Sequence, residues 1–453
     1  LKSRQWLALF ALSLPIVALS VDMNGVVVLL PTIGRDLGVS AATASAIVTC
    51  ASLAFAAPLL LIGRIADRIG ARPVLLLGVV GFGVASALCA VSDTFALMMV
   101  GRCLQGVASA CCFTTSLAAI DAMFVGEQQP LAVGIWGALG GIGGACGPLV
   151  ASLLASAWSW REFFGVNVVL LAIALPLLMW LVPPLPSDRT RTVPLVTLGF
   201  LVLGIGFGCG GIQHAASAGW DATATWVSIA IGVVCLFVVV RRRVPSDPLV
   251  PTAVSTSAPF RLGTATATLS NWGSGVVMVL VPTALDLVRH TSVLETGILF
   301  LAFSVPFALG GAASGLMIRA RTSPATLALG SAGMVIGMVA LAIVGPDGPL
   351  GSVLLTLAVI GFGNGIVYSA ATSYALVDVA PEAAGEASAV LSAVRVLGLA
   401  LAVALSTSLM TSIDGEFPGD SWGLRVALLV AAAITGVGYV LARRAPVTTS
   451  GHR

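Results

Sequence analysis

Charge is what this sequence has least of. Only 9% of its 453 residues are Asp, Glu, Lys or Arg, against 58% hydrophobic. A soluble domain carries roughly 25% charged residues, and a water-exposed surface so poor in charge would leave very large apolar patches. Lipid removes that conflict, so most of this chain has a bilayer as its solvent. Histidine is scarce too. The three present, His214, His290 and His452, fall in loops, at span edges or in the tail, where they cannot form the clustered Asp and His ligands of a metal-dependent membrane transferase. The eight cysteines, Cys50, Cys89, Cys103, Cys111, Cys112, Cys146, Cys209 and Cys235, all lie in apolar stretches and form no C-x-x-C pair. They read as small packing residues, and no metal or redox cofactor is expected.

Long apolar runs are abundant. A helix needs about 20 apolar residues to cross the hydrocarbon core. Fourteen such runs appear, near 6–30, 42–62, 73–92, 95–117, 131–156, 162–183, 194–214, 223–240, 262–287, 293–317, 323–344, 350–376, 386–411 and 423–442. The 51 glycines and 23 prolines fit, because both residues are commoner in membrane helices than in soluble ones. Lys2 and Arg4 precede an apolar run that continues past Asp22 with no cleavage-site pattern, so it is read as a first span rather than a leader. Alternating short strands of the membrane-barrel kind are not seen. The expected fold is therefore an all-α polytopic membrane protein.

Basic residues fix the expected orientation. With both termini cytoplasmic, sixteen of the 22 Lys and Arg fall in inner segments, four (Arg35, Arg161, Arg289, Arg425) in outer loops, and two (Arg102, Arg395) inside spans. The outer loops are short. The longest inner segment, 241–261, opens with Arg241-Arg242-Arg243 and is too short to fold alone. Function must reside in the helices, and a sensor or scaffold lacks its signalling domain.

An ionised group at the bilayer centre costs about 2.5–3.5 kcal/mol and usually marks a solute or proton pathway. Asp22 in the first span and Arg102 in the fourth stand out. Two readings apply: Asp22 binds and releases a proton while Arg102 tunes it, or the two form an ion pair that merely positions helices. Arg395 lies in the thirteenth span with Glu386 a few residues before it near the inner face, and these two with Asp286 are candidates for secondary coupling. Asp286 and Glu295, near the outer ends of the ninth and tenth spans, read equally as solvated loop-edge charges. The fifth span carries Gly134, Gly137, Gly140, Gly141, Gly143, Gly144, Gly147 and Pro148. Small residues permit close helix approach, and Pro148 removes a backbone donor.

These pieces together resemble the major facilitator superfamily, specifically its fourteen-span drug:proton antiporter branch. Gly63-Arg64-Ile65-Ala66-Asp67-Arg68-Ile69-Gly70-Ala71-Arg72 is similar to the superfamily's cytoplasmic loop signature, which implies a conformational latch of Gly63, Asp67, Arg68, Gly70 and Arg72. Arg102-Cys103-Leu104-Gln105-Gly106 resembles the element associated with proton coupling. Gly134, Gly143, Gly147 and Pro148 match the antiporter element, which favours export over import. Val21-Asp22-Met23-Asn24-Gly25 resembles the branch's first-span motif, with Asn24 in place of threonine and so a changed hydrogen bond to Asp22 expected. Trp160 to Asn167 resembles its outer loop and sixth span. In the second half the signature decays to Gly315–Arg321 and lacks its aspartate.

The resemblance implies two six-helix halves, 1–183 and 262–453, with two linker helices and an inner loop at 184–261. It also implies a mid-membrane cavity with Asn24, Gln105, Asn271, Trp272, Met278, Asn364 and Tyr368 as candidate contacts, each equally readable as helix packing. The expected activity is proton-driven export of small amphiphiles by alternating access. A dedicated exporter of one metabolite, antibiotic or lipid is the alternative. Protons, a small-molecule substrate and membrane lipid are the expected partners of a monomer in a bacterial cytoplasmic membrane, with no nucleic acid.

Overall fold

A computed structural model describes residues 2–124, 128–185, 187, 193–241, 256–320, 322–379, 384–414 and 422–446. All regular structure among them is α-helical. In chain order the helices are α1 Lys2–Asp36, α2 Ala41–Ala56, α3 Leu59–Ile69, α4 Ala71–Ala90, α5 Phe95–Met123, α6 Gln128–Ala157, α7 Trp160–Leu181 and α8 Leu195–Ala218. They continue as α9 Thr223–Arg241, α10 Ala258–Arg289, α11 Val293–Ala320, α12 Ser323–Val344, α13 Leu350–Ala375, α14 Ala384–Asp414 and α15 Trp422–Arg444. Among the described residues thirteen segments are long and apolar enough to cross a membrane, with Thr43–Ile69 counted as one, and Thr223–Val239 is a shorter apolar helix.

Local chemistry explains the boundaries. Thr94, Ser159, Ser257 and Thr322 each sit at a helix N-cap and accept, through the side-chain oxygen, a backbone N–H that the first turn would leave unpaired. Glu295 does more: its Oε2 accepts Ser292 N at 2.7 Å and Ser292 Oγ at 2.9 Å, while Ser292 Oγ accepts Glu295 N at 3.2 Å. This reciprocal capping box starts α11 and gives Glu295 a structural task. The second span is divided between α2 and α3 at Ala57-Pro58, where the proline lacks a backbone donor.

The expected cytoplasmic latch is not a loop. Gly63 to Ile69 lie on α3, and the only non-helical residue before α4 is Gly70. Its φ of 94° is a region that side chains other than hydrogen disfavour, so the turn depends on Gly70 and not on Gly63. Arg72 donates to Met179 O at 2.6 Å, and Arg4 donates to Trp180 O at 2.8 Å. Both cations therefore satisfy carbonyls in the last turn of α7, where the helix dipole favours positive charge.

The chain divides into two compact units, one of residues 1–39, 46–210 and 227–247, the other of 40–45, 211–226 and 248–453. Inside the first, α1 packs on α6 and α7, and α4 packs on α5 and α7. Inside the second, α10 packs on α14 and α15, and α12 packs on α13 and α15. Each of the second set holds the place of its counterpart in the first, span for span, so the two six-helix sets repeat one packing scheme. Close backbone approach supports it: Gly147 lies where an added Cβ would stand 2.8 Å from Val21 O, which lets α6 press directly on α1.

Candidate functional site

Four helices of the first unit bring polar side chains to one buried point. Asp22 on α1 and Arg102 on α5 are 2% and 1% exposed, and Arg102 Nη1 donates to Asp22 Oδ2 at 2.5 Å. Gln105, one turn further along α5, donates from Nε2 to Asp22 Oδ1 at 3.0 Å and to Ser86 Oγ of α4 at 2.9 Å. Its Oε1 accepts from Arg102 Nη1. Asn167 of α7 donates from Nδ2 to Asp22 Oδ1 at 3.0 Å. Arg102 Nε donates to Ile47 O of α2 at 3.2 Å, and the guanidinium lies 5.8 Å from the Phe164 ring centroid.

Removing two ions from water costs several kcal/mol each, and only good geometry with further hydrogen bonds offsets it. Asp22 has that compensation: a guanidinium on one oxygen and two amides on the other. Gln105 is the hinge of the network, since its amide accepts from the cation and donates to the anion. Arg102 stays protonated at any physiological pH. The carboxylate is thus the member of the pair that a proton can neutralise, and neutralisation would strip Arg102 of its counter-charge. The sequence pattern pointed to Asp22, Arg102 and Gln105 and missed two partners. Asn167 had a signal, an amide inside an apolar 22-residue helix. Ser86 had none, because a serine in a membrane helix is ordinarily a packing residue.

Asn24 does not join this network. Its Nδ2 donates to Ser20 O at 2.8 Å, and Gly144 of α6 lies against the same amide. The antiporter-element glycines divide as well. Gly143 and Gly147 press on Val17 and Val21 of α1, whereas Gly134 has nothing within 4 Å of an added Cβ. Gly106 of the fourth span packs against Ala51 and Ala54 of α2.

Two of the second-unit candidates, Tyr368 and Asn271, contact Arg395, which is 5% exposed. Its Nη2 donates to Tyr368 O at 3.3 Å and Thr372 Oγ1 at 3.0 Å, and its guanidinium stacks 4.0 Å over the Tyr368 ring. Asn271 Nδ2 donates to the Arg395 carbonyl at 3.1 Å, so Asn271 clamps α10 to α14. The Nε of Arg395 and the Nε1 of Trp272 are buried without partners among the described residues. Asn364 is buried and Tyr368 is 46% exposed; Met278 is half-buried. Asp286 lies in the last turn of α10, where its carbonyl accepts His290 N at 3.1 Å. The Glu386 side chain lies outside the described residues.

The sequence profile of the Major Facilitator Superfamily matches residues 12–403. A puromycin resistance protein of Streptomyces alboniger is 32% identical over 400 residues, covering 84% of this chain and 77% of the relative. A tetracenomycin C resistance and export protein of Streptomyces glaucescens is 26% identical, covering 84% of this chain and 71% of the relative. Among solved structures, a POT family transporter superposes with a TM-score of 0.71 at 12% identity, covering 97% of this chain and 96% of that one. The nucleoside transporter NupG superposes with a TM-score of 0.67 at 13% identity over 97% and 99%.

Proposed function

This chain belongs to the major facilitator superfamily, a family of membrane transporters and not of enzymes, and on that premise we propose that it exports small amphiphilic molecules or drugs in exchange for protons. The observation that carries the reading is the buried Asp22, held by Arg102, Gln105 and Asn167. The resistance and export functions named for the relatives agree with it.

In this reading Asp22 takes a proton while accessible from outside and releases it while accessible from the cytoplasm. Protonation frees Arg102 from its ion pair, so the two states of Asp22 favour different arrangements of the first-unit helices. One proton entering down 100 mV contributes about 2.3 kcal/mol, and each pH unit adds about 1.4 kcal/mol. Substrate binds near mid-membrane and access alternates between the two faces. The chain sits in a bacterial cytoplasmic membrane with both termini inside, as the placement of Arg and Lys favours. A dedicated exporter of one metabolite, antibiotic or lipid uses the same chemistry, and the second relative, named for one compound, supports keeping it as the second reading.

The test is dye uptake into inverted vesicles energised by a pH gradient, with wild type beside Asp22→Asn. Gradient-driven accumulation of a lipophilic cation that the variant loses is the expected result. Equal transport by the variant would remove Asp22 from coupling and direct attention to Asp286 and Glu386. Absence of transport by folded wild type would favour the dedicated exporter.

A further inference from the structure

A groove of about 470 Å³ runs between α10 and α14 within the second unit. Its walls include Phe260 and Leu269 of α10 and Val390 and Val394 of α14, with Arg261, Thr264 and Thr268 as polar members. From Phe260 to Leu269 the helix rises about 14 Å, close to half of the ~30 Å hydrocarbon core. The groove therefore starts at the end of a span and has the depth of one leaflet.

Its charge is unbalanced. Arg261 is exposed; its backbone N–H donates to Ser257 O at 3.1 Å, and its guanidinium has no hydrogen bond or ion pair among the described residues. It is the fourth residue of α10, at the end of the helix where the dipole is positive and a cation is disfavoured. An anion there is attracted by the guanidinium and by the helix end together. Thr264, one turn further on, is 9% exposed, and its Oγ1 is buried without a partner among the described residues. The same hydroxyl could donate to an acceptor oxygen beside Arg261. The segment before α10 adds Arg241-Arg242-Arg243 in sequence, and such clusters next to spans draw acidic headgroups.

We propose that this groove binds one anionic phospholipid of the adjoining leaflet, with the phosphate on Arg261 and Thr264 and an acyl chain laid along Phe260, Leu269, Val390 and Val394. A solute with an acidic group is the competing occupant, but the leaflet-deep apolar wall starting at a helix end suits a chain-and-headgroup molecule better. The site is separate from the Asp22 network and does not depend on the export reading.

Native mass spectrometry of the full chain, released from micelles doped with equal phosphatidylglycerol and phosphatidylcholine of identical chains, tests it. Wild type should retain phosphatidylglycerol at least fivefold over phosphatidylcholine. Arg261→Gln should reduce that preference at least threefold, and Thr264→Val should reduce it less. A variant with Arg443→Gln and Arg444→Gln, which removes the same kind of charge elsewhere, should keep the preference. Thermal unfolding confirms that each variant is folded. Equal retention of the two lipids by wild type, or a preference unchanged in folded Arg261→Gln, would overturn the assignment. So would loss of the preference in the Arg443/Arg444 variant to the same degree, which would mean bulk charge and not a site. Displacement by 2-naphthoate without any phosphatidylglycerol preference would give the groove to an acidic solute instead.

Discussion

Asn167 of α7 and Gln105 of α5 donate to the same oxygen, Asp22 Oδ1, each at 3.0 Å. The carboxylate therefore joins three helices and not two. A hydrogen bond to a charged group contributes about 1.5–3 kcal/mol. Asn167→Leu should lower stability by about that amount and reduce gradient-driven transport, whereas Asn167→Gln should retain part of both. Thermal unfolding in micelles and vesicle uptake read the two effects, and an Asn167→Leu protein as stable and active as wild type would show that α7 does not support the acid.

Breaking the buried pair should cost more than removing it. Arg102→Met leaves Asp22 charged and unbalanced, a loss of about 3–5 kcal/mol for a buried ion. Adding Asp22→Asn to the same chain removes the stranded charge and should recover at least half of that loss in denaturant unfolding. Transport should be absent from both. A double variant less stable than Arg102→Met would mean that Asp22 is stabilised mainly by its amide partners.

Two glycines of one motif should respond oppositely. At Gly147 an added Cβ meets Val21 O at 2.8 Å and Gly25 N at 3.0 Å, while at Gly134 it meets nothing within 4 Å. Gly147→Val should sharply reduce folded yield on size-exclusion chromatography. Gly134→Ala should be neutral or stabilise α6 by up to about 1 kcal/mol from helix propensity. Equal sensitivity at both positions would contradict the α1–α6 approach.

The Cys50 and Cys103 sulfurs are 2.6 Å apart, joining α2 to α5. Diamide, a thiol oxidant, should couple them to each other, giving a peptide cross-link by mass spectrometry that Cys50→Ser abolishes. The buried Cys112 should stay reduced under the same treatment. Failure to form the cross-link in folded protein would displace the two helices from this register.

Fold and site differed in how far the sequence disclosed them. The fourteen apolar runs found the spans because lipid imposes a length and a composition on each crossing. Asp22 and Arg102 stood out because a charge in hydrocarbon is costly wherever it lies. The pairing of Asn167 and Ser86 with this network was not legible, since an uncharged side chain costs less to bury and its partner is set by tertiary packing. The helical form of the segment 63–69 was missed for a different reason: Gly63 and Gly70 look alike in a motif, and only the φ of 94° at Gly70 separates the turn from the helix. Asn24 was linked to Asp22 by the first-span motif, and its side chain bonds Ser20 O because residues two apart on a helix do not share a face. Glu295 has the spacing of a capping box with Ser292, so its structural role is legible in the sequence from that pair alone.

Arg395 has no carboxylate against it among the described residues, and its guanidinium cannot shed its proton. Electrically it is a charge welded to α14. Any shift of α14 along the membrane normal carries that charge through part of the transmembrane field, at up to about 2.3 kcal/mol per 100 mV for a full crossing. Over a closed cycle the helix returns and the work cancels. Voltage acting on Arg395 can thus bias where the protein rests between turnovers, while contributing nothing to how steep a solute gradient it can sustain.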